Sequence, residues 1–145
     1  MIKVSVKEED LGLNKLLASL RVMSADKSVL YVGIQYPNRQ YANGSTVGVV
    51  GMAHEFGAPT STPPTTEKRY MRNTLARQKK TYFSIVKQTM EQELARNRTL
   101  SARSIFLTLG PVMKNDIQDA VRSIDLIDTS LLLRSIGFRV GKRAE

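Results

Sequence analysis

The sequence predicts an α+β domain in which a small, mostly antiparallel sheet packs against two long helices, with an extended proline-rich loop. Three observations predict it. Short branched or aromatic segments stand towards both ends of the chain, at residues 2–6, 28–35 and 138–140. Two long stretches, 70–96 and 101–124, carry apolar residues at three-to-four spacing. Ahead of them, residues 58–67 hold three prolines and five Ser/Thr. The whole chain, residues 1–145, reads as a single domain.

Taken in order, Ile2, Val4 and Val6 alternate with Lys3 and Ser5, a strand pattern. Glu8, Glu9 and Asp10 suit the first turn of a helix, where the dipole favours negative charge. Leu11, Leu13, Leu16, Leu17, Leu20 and Val22 give that helix an apolar face. Residues 28–35, with Val29, Tyr31, Val32 and Ile34, form a second strand. Pro37, Asn38, Asn43 and Gly44 mark a turn-rich loop. Residues 47–56 are a short helix with Val49, Val50, Ala53 and Phe56 on one face. Gly57 is its expected left-handed stop and Pro59 forbids continuation. Residues 58–67 are then expected to be an extended arm or loop.

The first long helix carries Leu75, Tyr82, Phe83, Val86, Met90 and Leu94 along one stripe. The second carries Phe106, Leu109, Met113, Ile117, Ala120 and Ile124, with Gly110-Pro111 at its middle, where a kink or restart is expected. Asp128 is placed to cap a short helix through Leu131, Leu132 and Ile136. Gly137 releases the chain into a final strand, Phe138-Arg139-Val140, and residues 141–145 are a basic tail. Sheet edges in so small a sheet are open to neighbouring chains.

The composition excludes several chemistries. No cysteine is present, so disulfides, thiolate metal sites and cysteine nucleophiles are ruled out. His54 is the one histidine; no Gly-x-Ser-x-Gly elbow accompanies it, and a zinc-protease helix would need a second histidine where Ala58 stands. His54 and Glu55 are instead expected to cap or pair near the end of the short helix. Gly44-Ser45 lacks the Gly-Lys-Ser/Thr ending of a phosphate loop. Catalytic residues, metal ligands and cofactors are therefore not expected. No apolar run approaches the roughly 18 residues that span a bilayer, so no membrane association is expected. The acidic start is unlike a signal peptide, which points to a cytoplasm.

The formal charge is +9, and residues 68–103 hold ten Lys/Arg against two Glu, a local +8. Such a field suits phosphates or an acidic protein, or is a solvated helix face. A small basic nucleic-acid-binding protein is the alternative reading of the chain. Tyr82 and Phe83 fit a core stripe better than a base-stacking platform.

Three phrases then stand in order: Ala53-His54-Glu55-Phe56-Gly57, Lys68-Arg69-Tyr70-Met71-Arg72 after Pro63-Pro64, and Asp128-Thr129 with Leu132, Ser135 and Ile136. Their order resembles the neck, head–tail joining and tail-completion proteins of tailed bacteriophages, the phage virion morphogenesis family, over roughly residues 29–140. That family's middle phrase has proline where this chain has Arg69, and its closing phrase has glycine where this chain has Ser130. The resemblance implies a structural virion protein of the neck or tail top, assembled in the host cytoplasm. It implies a ring of copies of this chain, six favoured over twelve, surrounding the DNA channel and touching adaptor, tail-terminator or tube proteins. His54, Glu55, Phe56, Gly57, Asp128 and Thr129 are its structural motif. Arg72, Lys79 and Lys80 are the candidates for contacting a partner or passing DNA.

Overall fold

A computed structural model describes residues 10–96, 98–124 and 129–143. The elements are α1 (Asp10–Ala25), β1 (Ser28–Ile34), α2 (Val47–Phe56), α3 (Tyr70–Ala95), α4 (Ala102–Ser123), α5 (Thr129–Ser135) and β2 (Ile136–Lys142). The expected strand at 2–6 and the acidic pair Glu8-Glu9 lie outside the described residues.

The fold is α+β. β1 and β2, far apart in sequence, pair antiparallel from Ser28↔Lys142 to Ile34↔Ile136. Period-two alternation puts Leu30, Val32 and Ile34 on one face with their partners Val140, Phe138 and Ile136. That face meets α4, which crosses both strands. On the other face Arg139 stacks over the ring of its cross-strand neighbour Tyr31, 4.8 Å from the centroid. The core cluster is Val47, Tyr70, Ile117, Val121, Leu132 and Ile136, so α2, α3, α4, α5 and β2 all contribute to it. Each fully buried aliphatic side chain there contributes about 2 kcal/mol.

α4 is the central element. Ser101 caps it, its hydroxyl accepting from the Ser104 N–H at 3.1 Å. Of the kink or restart expected at Gly110-Pro111, the restart does not occur: one helix runs through Ala102–Ser123. Proline costs a helix interior about 3 kcal/mol, and packing offsets it. Leu109 and Gly110 are buried, and a Cβ on Gly110 would stand 2.4 Å from Cδ2 of Phe138. The bare glycine is what lets β2 lie on the helix.

α3 packs along α4, and its first turn reaches the sheet where Met71 approaches Gly33. Its buried line is Tyr70, Thr74, Tyr82 and Thr89; of the predicted stripe Tyr82 is buried and Val86, Met90 and Leu94 are half-buried, while Leu75 and Phe83 face outward. The seam tolerates threonines because each hydroxyl is satisfied four residues back, Thr74 on the Tyr70 carbonyl (2.7 Å) and Thr89 on that of Ile85 (2.8 Å). Tyr82 donates across the seam to Asp116 at 2.9 Å.

Three further expectations are corrected. β2 begins at Ile136, so Gly137 lies within the strand. Of the expected basic tail, Gly141 and Lys142 belong to β2, and the Arg143 N–H donates to the Lys27 carbonyl at 2.9 Å. Leu17, Leu20 and Val22 of α1 stay exposed to solvent among the described residues.

Candidate functional site

α2 forms where the sequence placed it, with Thr46 capping its start through Val49 N–H. Its orientation is the surprise. The buried residues are Val47, Gly51 and Glu55, while Val49, Met52 and Phe56 are 66%, 56% and 53% exposed. Both sets recur at three-to-four spacing. The inner one prevails because Gly51 lets the helix approach the core, where Tyr70 Oη donates to the Gly51 carbonyl at 3.3 Å. The outer set, with Gly48, Ala53 and Ala58, lines a shallow apolar groove of about 510 Å³.

Glu55 is a charged residue only 4% exposed, and its partners explain it. The first N–H groups of α3 have no partner within their own helix. Arg69, at the cap position, sits at φ 52°, ψ 33° and offers no side-chain bond. Glu55 supplies the cap from another helix. Its carboxylate accepts from the Met71 N–H (2.8 Å) and the Arg72 N–H (3.1 Å), where the dipole favours negative charge. It also accepts from Arg72 Nε at 2.8 Å. Arg72 Nη2 then donates to the Glu55 carbonyl and to Glu67 Oε1, both at 2.6 Å. The Arg72 guanidinium lies 4.5 Å from the centre of the Phe56 ring. Glu67 also pairs with Arg69 at 2.9 Å. The hydrogen bonds from Arg69 and Arg72 hold the Glu67 carboxyl below its ordinary range, and those to Glu55 and Glu67 hold Arg72 above its own.

The backbone between the two phrases is closed as well. The Lys68 N–H donates to the His54 carbonyl at 2.7 Å. Gly57 is not left-handed helical as expected. It stands at φ 81°, ψ 158°, a region open essentially to glycine alone. A Cβ there would stand 3.4 Å from the Glu67 backbone nitrogen and Cβ. The predicted extended arm is a loop folded onto itself. Ala58 and Thr65 exchange two backbone bonds, of 2.8 and 3.0 Å. Ser61 Oγ reaches the Ala58 and Pro63 carbonyls at 2.7 and 2.8 Å, across a cis Thr62–Pro63 bond. Short Ser/Thr hydroxyls so placed substitute for external partners.

His54 is half-buried beside this closure, and its Nδ1 has no hydrogen-bond partner among the described residues. Burial first, then the Lys68 charge, pushes its pKa below the ordinary value of 6.5. It is neutral at neutral pH.

The structure therefore brings together His54, Glu55, Phe56, Gly57 and Arg72. Arg72, predicted as a contact for partner or DNA, is committed to Glu55 and Glu67. Lys79 and Lys80 lie about 10 Å further along α3, exposed. Asp128 lies outside the described residues, and Thr129 opens α5. The rest of the closing phrase is core: Leu132, Ser135 and Ile136 are buried. Gln118 ties it to α4 through the Leu133 carbonyl at 2.9 Å. Sequence reasoning missed Glu67 and the outward Val49 and Met52. An acid five residues before Arg72 and a second apolar spacing set on α2 were the available signals.

Among the described residues no His/Asp/Glu cluster could hold a metal, and no helix is long and apolar enough to cross a membrane. Arg69 stands at a φ of 52°, which proline cannot adopt. No protein-family model matches the sequence, and no curated protein or solved structure matches it.

Proposed function

We propose that this protein is a structural subunit of a tailed-bacteriophage neck or tail top, forming a ring that completes the tail or joins it to the head around the DNA channel. The observation that carries the reading is the Glu55–Arg72 junction. It makes the His-Glu-Phe-Gly phrase and the Lys68–Arg72 phrase, distant in sequence, one fixed unit. Such a unit builds a surface and positions no reacting groups, which suits a part of an assembly. Beside it the groove of Val49, Met52 and Phe56 offers apolar area to a neighbouring copy or an adjacent neck, adaptor or tail-terminator protein. Six copies, matching a tail tube, are favoured over twelve.

The test is electron microscopy of particles made in a host where the protein is not produced. Separate DNA-filled heads and tails, or tails of abnormal length, are expected. Normal joined particles would overturn the reading.

A second reading, a basic nucleic-acid-binding protein, is favoured by one observation. Phe83, expected in the core, is 65% exposed among lysines.

A further inference from the structure

From Tyr70 to Met90, α3 carries Arg72, Arg77, Lys79, Lys80 and Lys87 and no carboxylate. These cations have different surroundings. Arg72 is held by Glu55 and Glu67. Arg77 lines the cleft facing Asp116 and Asp119 of α4, its Nε on the Asn73 carbonyl. Lys79 and Lys80 have no ion-pair or hydrogen-bond partner among the described residues, and Lys87 meets only the exposed Glu91, at 3.8 Å.

The unclaimed cations share the outward ridge of the helix. At about 100° per residue, the direction opposite the buried Tyr70, Thr74, Tyr82 and Thr89 falls between Ala76 and Lys87, with Phe83 about 25° to one side. Lys79 projects to one side of that line and Lys80 to the other, about 65° and 35° away, with Lys87 close to the line itself. Phe83 is the most exposed aromatic ring of the helix, at 65%, with Lys79, Lys80 and Lys87 three or four residues away.

We propose that this ridge is a docking surface for duplex nucleic acid, with α3 laid in the major groove. A helix is about 10–12 Å across, and the B-form major groove is about 12 Å wide. Lysines on both flanks reach the phosphates of the two strands that wall the groove. Ala76 and Phe83 face its floor, where thymine methyl groups offer apolar contact. A single strand would stack on Phe83 but presents one line of phosphates, not two. An acidic protein would give the lysines partners and leave the ring unexplained. The inference stands apart from the neck reading: particles that assemble normally without the protein would sink that reading and leave this one untouched.

The test is a fluorescence-anisotropy titration of the full chain against a labelled mixed-sequence duplex between about 50 and 200 mM salt. The variants are Lys79→Gln/Lys80→Gln and Phe83→Ala. All three side chains are exposed, so melting curves should match the parent; Lys87→Gln is the substitute where the double variant melts early. Loss of Lys79 and Lys80 should flatten the plot of log affinity against log salt by about 2, at roughly 0.9 per phosphate contact. Phe83→Ala should weaken binding about tenfold with the slope unchanged. A duplex with deoxyuridine for thymidine should bind the parent more weakly and Phe83→Ala no differently. No duplex binding at low salt would overturn the proposal. So would an unchanged slope in the lysine variants, tighter binding of the single strand, or equal competition by polyglutamate.

Discussion

Removing the Glu55 carboxylate should unfasten the start of α3. In Glu55→Ala the Met71 and Arg72 N–H groups lose a charged acceptor in a place too enclosed for water to replace it fully. Hydrogen bonds to charged groups contribute about 1.5–3 kcal/mol each, so the two backbone bonds set a loss of about 3 kcal/mol at the low end. The Arg72 guanidinium is left out of that figure because nearly half of it is in solvent. At roughly 3 °C per kcal/mol for a domain of this size, Tm should fall by about 10 °C. Glu55→Gln keeps the volume and one acceptor oxygen, and should lose about half as much. Arg72→Met should lose less than Glu55→Ala, because the cap survives. Thermal melts followed by circular dichroism measure all three. A fall under about 2 °C in Glu55→Ala, or an equal fall in Arg72→Met, would refute the view that Glu55 acts as the cap of a helix other than its own.

Three further outcomes follow from the same geometry. Gly57→Val forces a branched side chain into a region reserved for glycine and against Glu67, so urea unfolding should show a loss of about 2 kcal/mol; an unchanged midpoint would contradict the assigned backbone. Gly110→Ala places a methyl inside the Phe138 ring and should lower Tm, with Gly110→Ala/Phe138→Ala melting no lower than Phe138→Ala alone; an additive double variant would separate the two residues. His54 has a folded pKa below 6.5, so its contribution is fully present above that pH and is lost as pH falls through the depressed value. Stability should therefore decline below about pH 6.5 more steeply in the parent than in His54→Gln, and equal slopes would exclude His54 as the cause.

The elements were legible because each has a local cause. α2 spans 47–56 as its apolar spacing and the glycine that follows it indicate, while the Thr46 cap came to light only in the structure. β1 and the two long helices follow from their residue types and periods. What periodicity leaves open is which face turns inward. α2 has two candidate faces, and the choice fell to Gly51, whose missing side chain permits the closer approach. Phe83 and Leu75 belong to a regular apolar spacing on α3, yet the helix rests on α4 through the line of Tyr70, Thr74, Tyr82 and Thr89. Buried threonines look polar in sequence because their bonds to their own backbone are invisible there. Glu55 was expected to cap or pair at the end of its helix. It does pair, with Arg72. That it also caps α3, across the loop, depends on a closure of residues 58–65 that composition alone reads as extension.

That closure decides how the two exposed surfaces relate. The apolar groove belongs to α2 and the basic ridge to α3, and the chain between them is a loop whose length would ordinarily let the helices move apart. Glu55 removes that freedom, since its carboxylate is bonded to the backbone of α3 and its carbonyl to the Arg72 side chain. Tyr70 adds a buried tie to Gly51. A contact made in the groove at Phe56 is therefore felt first at Arg72, stacked on that ring, and the rigid helix that follows carries Lys79, Lys80 and Phe83. Unfastening the cap in Glu55→Ala should uncouple the two surfaces before it unfolds the domain. Duplex binding measured below the melting range should then survive in that variant, while assembly through the groove should fail.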